Sequence, residues 1–381
     1  MIGNIKLDEI PVKPPKKIAI VISGLAPGGA EHSILNILSN ISKNNLVTIF
    51  VLQNLDIEID FKESKSANIV RLNAKNVKDF SSFIRLKRML DSYDLIFAHM
   101  IWSQYWTGLM CVIDKSFRNK LTWIEHNVYL NRKNVEWKIL SLLGKFVSEV
   151  IAVSSEVSDF FYSRTSIKPK VIHNPIVVPK KLIGFSKFNK KYFDIAVYGR
   201  LVHQKNPFLA INSFLKFSEH NDLRHLPRLI IIGDGPLKEK IFGEFSSHRD
   251  IKFLGYNKRD EALKTLAECQ IFLSTSKHEG FPLARFEALK LGLCMVSTRT
   301  AGYKFLLDHY LSEINMKDIG IFFVSDDSTE ISAALRSLQD KKFWTADCIK
   351  RRIECTESLS PENISSQLLF ELERKNVRNI F

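Results

Sequence analysis

The feature that most constrains the fold of this chain is a repeated alternation of short apolar runs with amphipathic stretches. After Lys16 and Lys17, runs rich in β-branched residues recur at 18–22, 46–52, 68–72, 94–99, 121–126, 150–154 and 170–174. Helical patterns lie between several of these runs, for example at 80–91 and 135–147. Strands that alternate with helices predict a parallel sheet covered on both faces.

The alternation starts again after a break. Residues 175–192 are rich in proline and lysine, which is typical of a linker, and further apolar runs follow at 193–200, 228–235, 251–255, 270–276, 294–299 and 319–325. We therefore expect an α/β protein with two doubly wound Rossmann-like domains that face each other across a cleft. The expected boundaries are 1–180 for the N-terminal domain and 181–360 for the C-terminal domain. Residues 361–381 are expected to form a C-terminal helix that could pack back on the N-terminal domain.

Composition narrows the class of protein. The hydrophobic content of 45% and charged content of 25% are those of a soluble globular chain, and no apolar run of membrane-spanning length or signal-peptide core occurs. We expect a cytoplasmic location. The five cysteines lack CxxC spacing, which predicts reduced thiols and no zinc site. The formal net charge of +14 indicates an anionic partner, which could be nucleic acid, anionic lipid or a phosphorylated substrate.

Two glutamates in the stretch EGFPLARFE are candidates for binding. Glu279 lies in the loop after a predicted strand, and Glu287 lies a little over one turn into the helix that we expect Pro282 to open. The free N–H groups at this helix start, around 281–283, suit a phosphate. A carboxylate beside a phosphate must face something else, so we expect both glutamates to bind hydroxyls of a sugar nucleotide.

Two cations and two glycines complete the pattern. Arg200 closes a predicted strand and Lys205 follows five positions later, so both can reach a diphosphate in the cleft. Gly28 and Gly29 lie just before a predicted helix, where the absence of side chains lets the backbone approach a ligand. This turn is not GxGxxG, and no acidic residue marks a dinucleotide ribose.

These elements, in this order, resemble the family-4 retaining glycosyltransferases of the GT-B fold. The family's E-x7-E pattern matches Glu279 and Glu287, and its Gly-Arg-x4-Lys pattern matches residues 199–205. Lesser matches are IIGDGP at 231–236 and FLGY at 253–256. The resemblance covers about residues 16–325. One departure is the loop TAGYKFLL at 300–307, which lacks the Gly-Gly and glutamate common in similar enzymes.

The resemblance implies a role for each matched position. The C-terminal domain would hold a nucleotide-diphosphate sugar, with Glu287 at the ribose, Glu279 at the sugar, and Arg200 and Lys205 at the departing diphosphate. The N-terminal, acceptor-binding domain would contribute the glycine turn and His126, which would face the transferred sugar. The other implied donor-binding positions are Phe281, Pro282, Leu283, Gly233 and Tyr256. No metal and no cofactor are implied.

The resemblance also implies a reaction. It is retaining transfer of a hexose or N-acetylhexosamine, with UDP as the expected nucleotide, to a lipid-linked or cell-surface glycan such as lipopolysaccharide or capsule. A soluble sugar or storage polysaccharide is the alternative acceptor. A nucleic-acid-binding protein is disfavoured because we find no RNA-binding aromatic signature, zinc knuckle or basic arm.

An anionic membrane surface is the second expected partner. Residues 1–185 carry an excess of nine positive charges, and the segments 79–94 and 129–147 mix apolar with basic residues. Ordinary helices packed on the sheet would give the same pattern. We expect peripheral binding at the cytoplasmic face of the membrane.

Overall fold

Two parallel β-sheets, one in each half of the chain, organise the structure. The computed structural model describes residues 14–25, 28–54, 67–184, 192–219 and 226–378, with side chains described through residue 371. The prediction of two Rossmann-like domains is confirmed. None of the helices in these ranges is long and apolar enough to cross a membrane.

The first sheet has seven strands in the order β3-β2-β1-β4-β5-β6-β7. They are β1 (Lys17–Ile22), β2 (Leu46–Val51), β3 (Asn68–Arg71), β4 (Leu95–His99), β5 (Leu121–Glu125), β6 (Glu149–Ala152) and β7 (Lys170–Val171). In the centre Ile20 pairs in parallel with Ile49 on one side and Phe97 on the other, and it is fully buried. The strand order reverses between β1 and β4, so the crevice of this sheet opens at their carboxyl ends.

Among the described residues of the first half, five α-helices accompany this sheet. They are α1 (Gly29–Ile41), α2 (Phe80–Leu90), α3 (Ile101–Ile113), α4 (Asn134–Leu143) and α5 (Ser155–Thr165). Asp79 caps α2 by accepting the N–H of Ser82, and Ser154 caps α5 by accepting that of Val157. Helices α2, α3 and α4 pack on one face of the sheet through a buried aromatic cluster.

The second sheet has six strands in the order β10-β9-β8-β11-β12-β13. They are β8 (Tyr192–Tyr198), β9 (Leu226–Ile232), β10 (Ile251–Gly255), β11 (Ile271–Ser274), β12 (Cys294–Thr298) and β13 (Ile321–Val324). All of these strands are parallel, and Ile195 pairs with Ile271 where β8 meets β11. The order reverses between these two strands, which places a second crevice at their carboxyl ends.

Nine α-helices follow in the second half within the described ranges. They are α6 (Pro207–Ser218), α7 (Lys238–Phe245), α8 (Arg259–Glu268), α9 (Leu283–Lys290), α10 (Tyr303–Tyr310), α11 (Glu313–Asp318), α12 (Ser328–Ser337), α13 (Ala346–Glu354) and α14 (Pro361–Arg378). The last helix, α14, packs on α1 of the first half, and Glu371 forms an ion pair with Lys170. We propose that the two domains meet near residue 180, between β7 and β8.

The segment between the sheets is tied to both halves. The Ser33 hydroxyl on α1 donates to Asn174 Oδ1 at 2.7 Å, and Asn36 Nδ2 donates to the Pro175 carbonyl at 3.3 Å. From the second half, Arg259 donates to the Val177 carbonyl at 2.8 Å. These bonds fix how the carboxyl ends of the two sheets face each other.

The two segments predicted to bind a membrane are largely part of the core. In α2 the side chains of Phe83 and Leu86 are buried, while Phe80 is 68% exposed. In α4 the predicted apolar face includes Trp137 and Leu140, which are also buried. The apolar residues that α4 does expose are Val135, Ile139 and Leu142. The larger apolar side chains of each helix cover the sheet, which the sequence pattern alone did not indicate.

Candidate active site

The predicted cations and the first glutamate meet where β8 lies beside β11. Arg200 follows the carboxyl end of β8, and Glu279 follows that of β11. Both line a cleft with Gly199, Lys205 and Ser276. A switch in strand order is where ligands bind in sheets of this kind, so the fold and the motif indicate the same place.

Lys205 and Glu279 form an ion pair inside the cleft. Lys205 Nζ lies 2.5 Å from Glu279 Oε1, which also accepts the Ser276 hydroxyl at 2.7 Å. Burial by itself would raise the pKa of Glu279, but the Lys205 charge and these hydrogen bonds outweigh it and lower that pKa. Glu279 is therefore a carboxylate at neutral pH, and Lys205 is shared between it and any anion that binds.

Two glycines allow β8 and β9 to end close together. Gly199 has φ of +149° and Gly233 has φ of +146°, a region that other residues rarely adopt. A Cβ atom on Gly233 would lie 1.9 Å from the Gly199 carbonyl oxygen. Gly233 does not line the cleft. It supports the turn that carries Arg200.

The start of α9 differs from the prediction in detail. Pro282 is the N-cap rather than part of the first turn, and it has no N–H. The Leu283 N–H is taken by the Phe281 carbonyl at 3.0 Å. Within the described ranges, the N–H groups of Phe281 and Ala284 donate to no backbone or side-chain acceptor. The Phe281 side chain stacks on Phe286 with ring centres 4.7 Å apart, so it belongs to the core.

The second glutamate of the motif has a partner that the sequence did not indicate. Glu287 is 3% exposed, and its Oε1 lies 2.5 Å from Arg259 Nη2 at the start of α8. The same Arg259 nitrogen donates to the Val177 carbonyl. The nearby Tyr198 has a raised pKa, first because it is buried and then because of the Glu287 charge. A ribose at Glu287 would therefore also meet Arg259.

The glycine turn of the first half lies against the start of α9. Gly28 is the N-cap of α1, and a Cβ atom on Gly29 would lie 3.7 Å from Leu283 Cδ1. Burial raises the pKa of Glu31 to about 7, against the opposing effects of its own backbone N–H and the Arg200 charge. The first turn of α1 thus faces the cations of the other half.

His126 lies on the opposite wall, paired with a second histidine. His99 Nδ1 is 2.7 Å from His126 Nε2, and the rings are 5.0 Å apart. Burial lowers the pKa of His126 to about 4, and burial followed by the His126 charge lowers that of His99. Both are neutral at pH 7. The His126 backbone is so near Gly280 that a Cβ atom there would lie 1.8 Å from the His126 carbonyl oxygen.

Tyr256 lies near the cleft, close enough to Tyr198 in the cleft lining to contribute, after burial, to the raised pKa of that residue. It follows β10, is 68% exposed, and does not line the cleft. Residues that the sequence did not single out are Glu31, Arg259 and Arg285. Arg285 lies inside an apolar stretch, which is a weak signal for a buried arginine, and Arg259 lies among polar residues, which gave none.

Metal ligands do not cluster in the part of the chain that the structure describes. No group of three or more His, Cys, Asp or Glu side chains there is arranged to hold an ion. The five cysteines are all free and buried.

Comparison with known proteins identifies both halves. Residues 27–178 match the family model of Glycosyltransferase Family 4, and residues 180–353 match that of Glycosyl transferases group 1.

Relatives and solved structures point the same way. The GalNAc-alpha-(1->4)-GalNAc-alpha-(1->3)-diNAcBac-PP-undecaprenol alpha-1,4-N-acetyl-D-galactosaminyltransferase of Campylobacter jejuni is 25% identical over 74% of this chain and 79% of its own length. The UDP-Gal:alpha-D-GlcNAc-diphosphoundecaprenol alpha-1,3-galactosyltransferase of Escherichia coli is 25% identical over 71% and 73%. The Anabaena Alr3699/HepE structure in complex with UDP has 18% identity and a TM-score of 0.74, covering 94% of this chain and 100% of that one. The chain belongs to the family-4 glycosyltransferases of the GT-B fold.

Proposed function

We propose that this glycosyltransferase moves a hexose or N-acetylhexosamine from a nucleotide-diphosphate sugar, with UDP as the nucleotide, and retains the anomeric configuration. The observation that carries the proposal is the Lys205–Glu279 ion pair beside Arg200 at the switch point of the second sheet. Cations placed where a leaving group gains charge stabilise the transition state most. They also perform the task that a divalent metal performs in other transferases, so we propose that no metal is required.

Each residue then has a role in a single step that transfers the sugar. The acceptor hydroxyl oxygen forms a bond to the anomeric carbon on the face from which the diphosphate leaves. The bond from that carbon to the phosphate oxygen breaks, its electron pair stays with the phosphate, and that oxygen takes the hydroxyl proton. Arg200 and Lys205 offset the charge on the departing phosphate. Glu279 holds a sugar hydroxyl and needs no covalent role.

The remaining residues of the site orient the uncharged parts of the donor. We propose that Glu287, with Arg259, binds the ribose, and that uncharged His126 hydrogen-bonds the transferred sugar. A neutral imidazole can do so without competing for the diphosphate. We propose that the backbone N–H groups of Phe281 and Ala284 bind the diphosphate. Pro282 and Leu283 cannot do so, because Pro282 has no N–H and that of Leu283 donates to the Phe281 carbonyl.

The acceptor that we propose is a lipid-linked glycan. The names of the Campylobacter and Escherichia relatives specify undecaprenol-linked acceptors. The exposed residues Val135, Ile139 and Leu142 of α4 recur at helical spacing beside exposed Lys138 and Lys145. Such a surface suits peripheral binding to anionic lipid, which would bring the enzyme to its acceptor on the cytoplasmic face.

The test begins with the donor. Protein stabilisation by UDP-, GDP- and ADP-sugars identifies the nucleotide, because a ligand that binds only the folded chain raises its stability. Transfer to an undecaprenyl-diphosphate-linked sugar is then compared with transfer to the same sugar free in solution. NMR of the product reports the anomeric configuration, and the assay is repeated in EDTA. We expect retention, activity in EDTA and preference for the lipid-linked acceptor. An inverted product, or loss in EDTA that magnesium or manganese restores, would contradict the mechanism.

A further inference from the structure

Arg285, in the first turn of α9, is buried in the cleft and has no role in the mechanism above. Its side chain has no exposed surface, yet it lines the cleft with Arg200, Lys205 and Glu279. Nη1 donates to the Ala301 carbonyl at 2.9 Å and Nη2 to the Thr300 hydroxyl at 2.7 Å. Its Nε–H is also buried and has no partner in the described ranges. An unsatisfied buried donor on a charged group calls for an explanation.

The positive charge of Arg285 is also not neutralised by a direct contact. Burial lowers its pKa to about 10, against the charges of Glu279 and Glu156, so the guanidinium is charged at neutral pH. The structure pairs Glu279 with Lys205, and in the described ranges no carboxylate lies within ion-pair distance of Arg285. A buried cation without a counter-ion is costly. The site therefore favours an anion.

The charges that line the cleft match a diphosphate. Arg200, Lys205 and Arg285 are positive and Glu279 is negative, which leaves an excess of two positive charges. A diphosphate ester carries about two negative charges or more, because each phosphate group is ionised near pH 7. Without Arg285 the excess would be halved.

The hydrogen bonds of Arg285 hold the loop that departs from the family pattern. Thr300 and Ala301 follow β12, and Gly302, with φ of +84°, approaches Phe286 so closely that a Cβ atom would lie 2.9 Å from its ring. In the described ranges, the N–H groups of Ala301 and Gly302 donate to no backbone or side-chain acceptor. The loop thus offers unused donors beside α9, and Arg285 sets its position.

We propose that Arg285 is a diphosphate-positioning residue. It supplies a third positive charge beneath the leaving group and holds the loop 300–302 against the start of α9. The inference rests on the proposed function, since it requires a diphosphate to bind beside Lys205.

The test separates charge from structure with three variants. R285M removes the charge at similar length, R285K keeps the charge but cannot make both loop bonds, and T300V removes one loop acceptor. Calorimetry measures the affinity of whichever of UDP, GDP or ADP binds the wild type most tightly, and of its nucleoside. Interactions with a charged group are the stronger ones. We therefore expect R285M to weaken binding of the nucleoside diphosphate at least about ten-fold, while the affinity for the nucleoside changes less than about two-fold. R285K and T300V should each weaken the diphosphate a few-fold.

Two results would overturn the inference. One is wild-type diphosphate affinity in R285M. The other is an equal loss of diphosphate and nucleoside with a lower melting temperature, which would make Arg285 a structural contact only. If R285M does not fold, R285Q takes its place as the variant without the charge, and wild-type diphosphate affinity in R285Q would remove the proposal.

K205A distinguishes this inference from the function on which it rests. If K205A keeps wild-type diphosphate affinity and turnover while R285M loses affinity, the leaving-group assignment fails and Arg285 remains. If K205A is slow and R285M binds normally, only the Arg285 inference fails.

Discussion

The two walls of the cleft differ in charge although both stand at the carboxyl ends of parallel strands. The wall from the second half holds Arg200, Lys205, Glu279 and Arg285. The wall from the first half holds the neutral pair of His99 and His126. The second half presents fixed ions there, whereas these two histidines of the first half carry no charge at neutral pH. In the proposed mechanism the second half therefore handles the leaving group, and the transferred sugar meets groups from both halves, Glu279 and His126.

The role of the charged wall is tested most directly by removing the charge of Lys205. We expect K205A to lower the turnover number by about two orders of magnitude. A cation that meets developing negative charge in a site without water lowers the activation free energy by several kcal/mol, and K205A removes that cation. Initial rates at saturating donor measure this. K238A is the matched control, since Lys238 is an exposed lysine of the same half that pairs with Asp234 outside the cleft. A near-wild-type rate in K205A would remove the leaving-group assignment.

The contact between the walls can be broken at Gly280. In G280A the new Cβ atom would lie 1.8 Å from the His126 carbonyl oxygen, so the two halves must separate locally. We expect at least about a ten-fold loss in kcat/KM, because small misplacements of reacting groups are costly. G243A is the control, since a Cβ atom at that helix position meets nothing within 4 Å. Equal activity of the two variants would show that the walls need not touch during transfer.

The neutral wall predicts a pH dependence of stability. The folded pKa of His126 is about 4, below its ordinary value of 6.5, so as pH falls below 6.5 the unfolded chain takes up a proton that the folded chain does not. This group therefore lowers the free energy of unfolding by about 2 kcal/mol between pH 7 and pH 5.

Denaturation in urea at the two pH values measures this loss. H126N removes the titrating group, so its stability should fall less than that of the wild type over the same interval. The comparison with H126N is needed because Glu31, with a folded pKa of about 7, raises the free energy of unfolding as pH falls. An identical pH dependence in H126N and wild type would show that folding does not lower the pKa of His126.

The smallest expected effect concerns the outer surface of the first half. Reversing two charges in K138E/K145E should weaken recovery on anionic vesicles several-fold, because each basic residue near such a surface contributes roughly 1 kcal/mol. Flotation at low and high salt, with anionic and neutral vesicles, measures it. K341E/K342E is the control, with the same charge change at two exposed lysines of the second half. Equal recovery of wild type on both kinds of vesicle, or none, would favour a soluble acceptor.

Much of the fold could be predicted because its signals are local. Strand and helix positions follow from apolar periodicity, and the switch point follows from two repeats of that pattern. The grouping of Arg200, Lys205 and Glu279 was accessible through a known motif. Arg259 and Arg285 were not, because an arginine in an amphipathic stretch is usually solvated, and only the packing of α8 and α9 pairs Arg259 with Glu287 and buries Arg285.

The apolar side chains that reach solvent could not be predicted for a related reason. Periodicity shows that a helix has two faces, but it does not show which apolar side chains are needed to cover the sheet. In α4 the larger Trp137 is buried and Ile139 is 40% exposed.

Arg259 joins the donor side of the cleft to the segment between the domains. A single guanidinium nitrogen donates both to Glu287 and to the Val177 carbonyl. A ligand that draws Glu287 away therefore alters what holds the linker, and a shift of the linker alters what holds Glu287. Thermodynamic linkage requires the two influences to be equal in size. In the proposed donor complex, occupancy of the ribose position and the placement of the linker are in this way coupled through one guanidinium group.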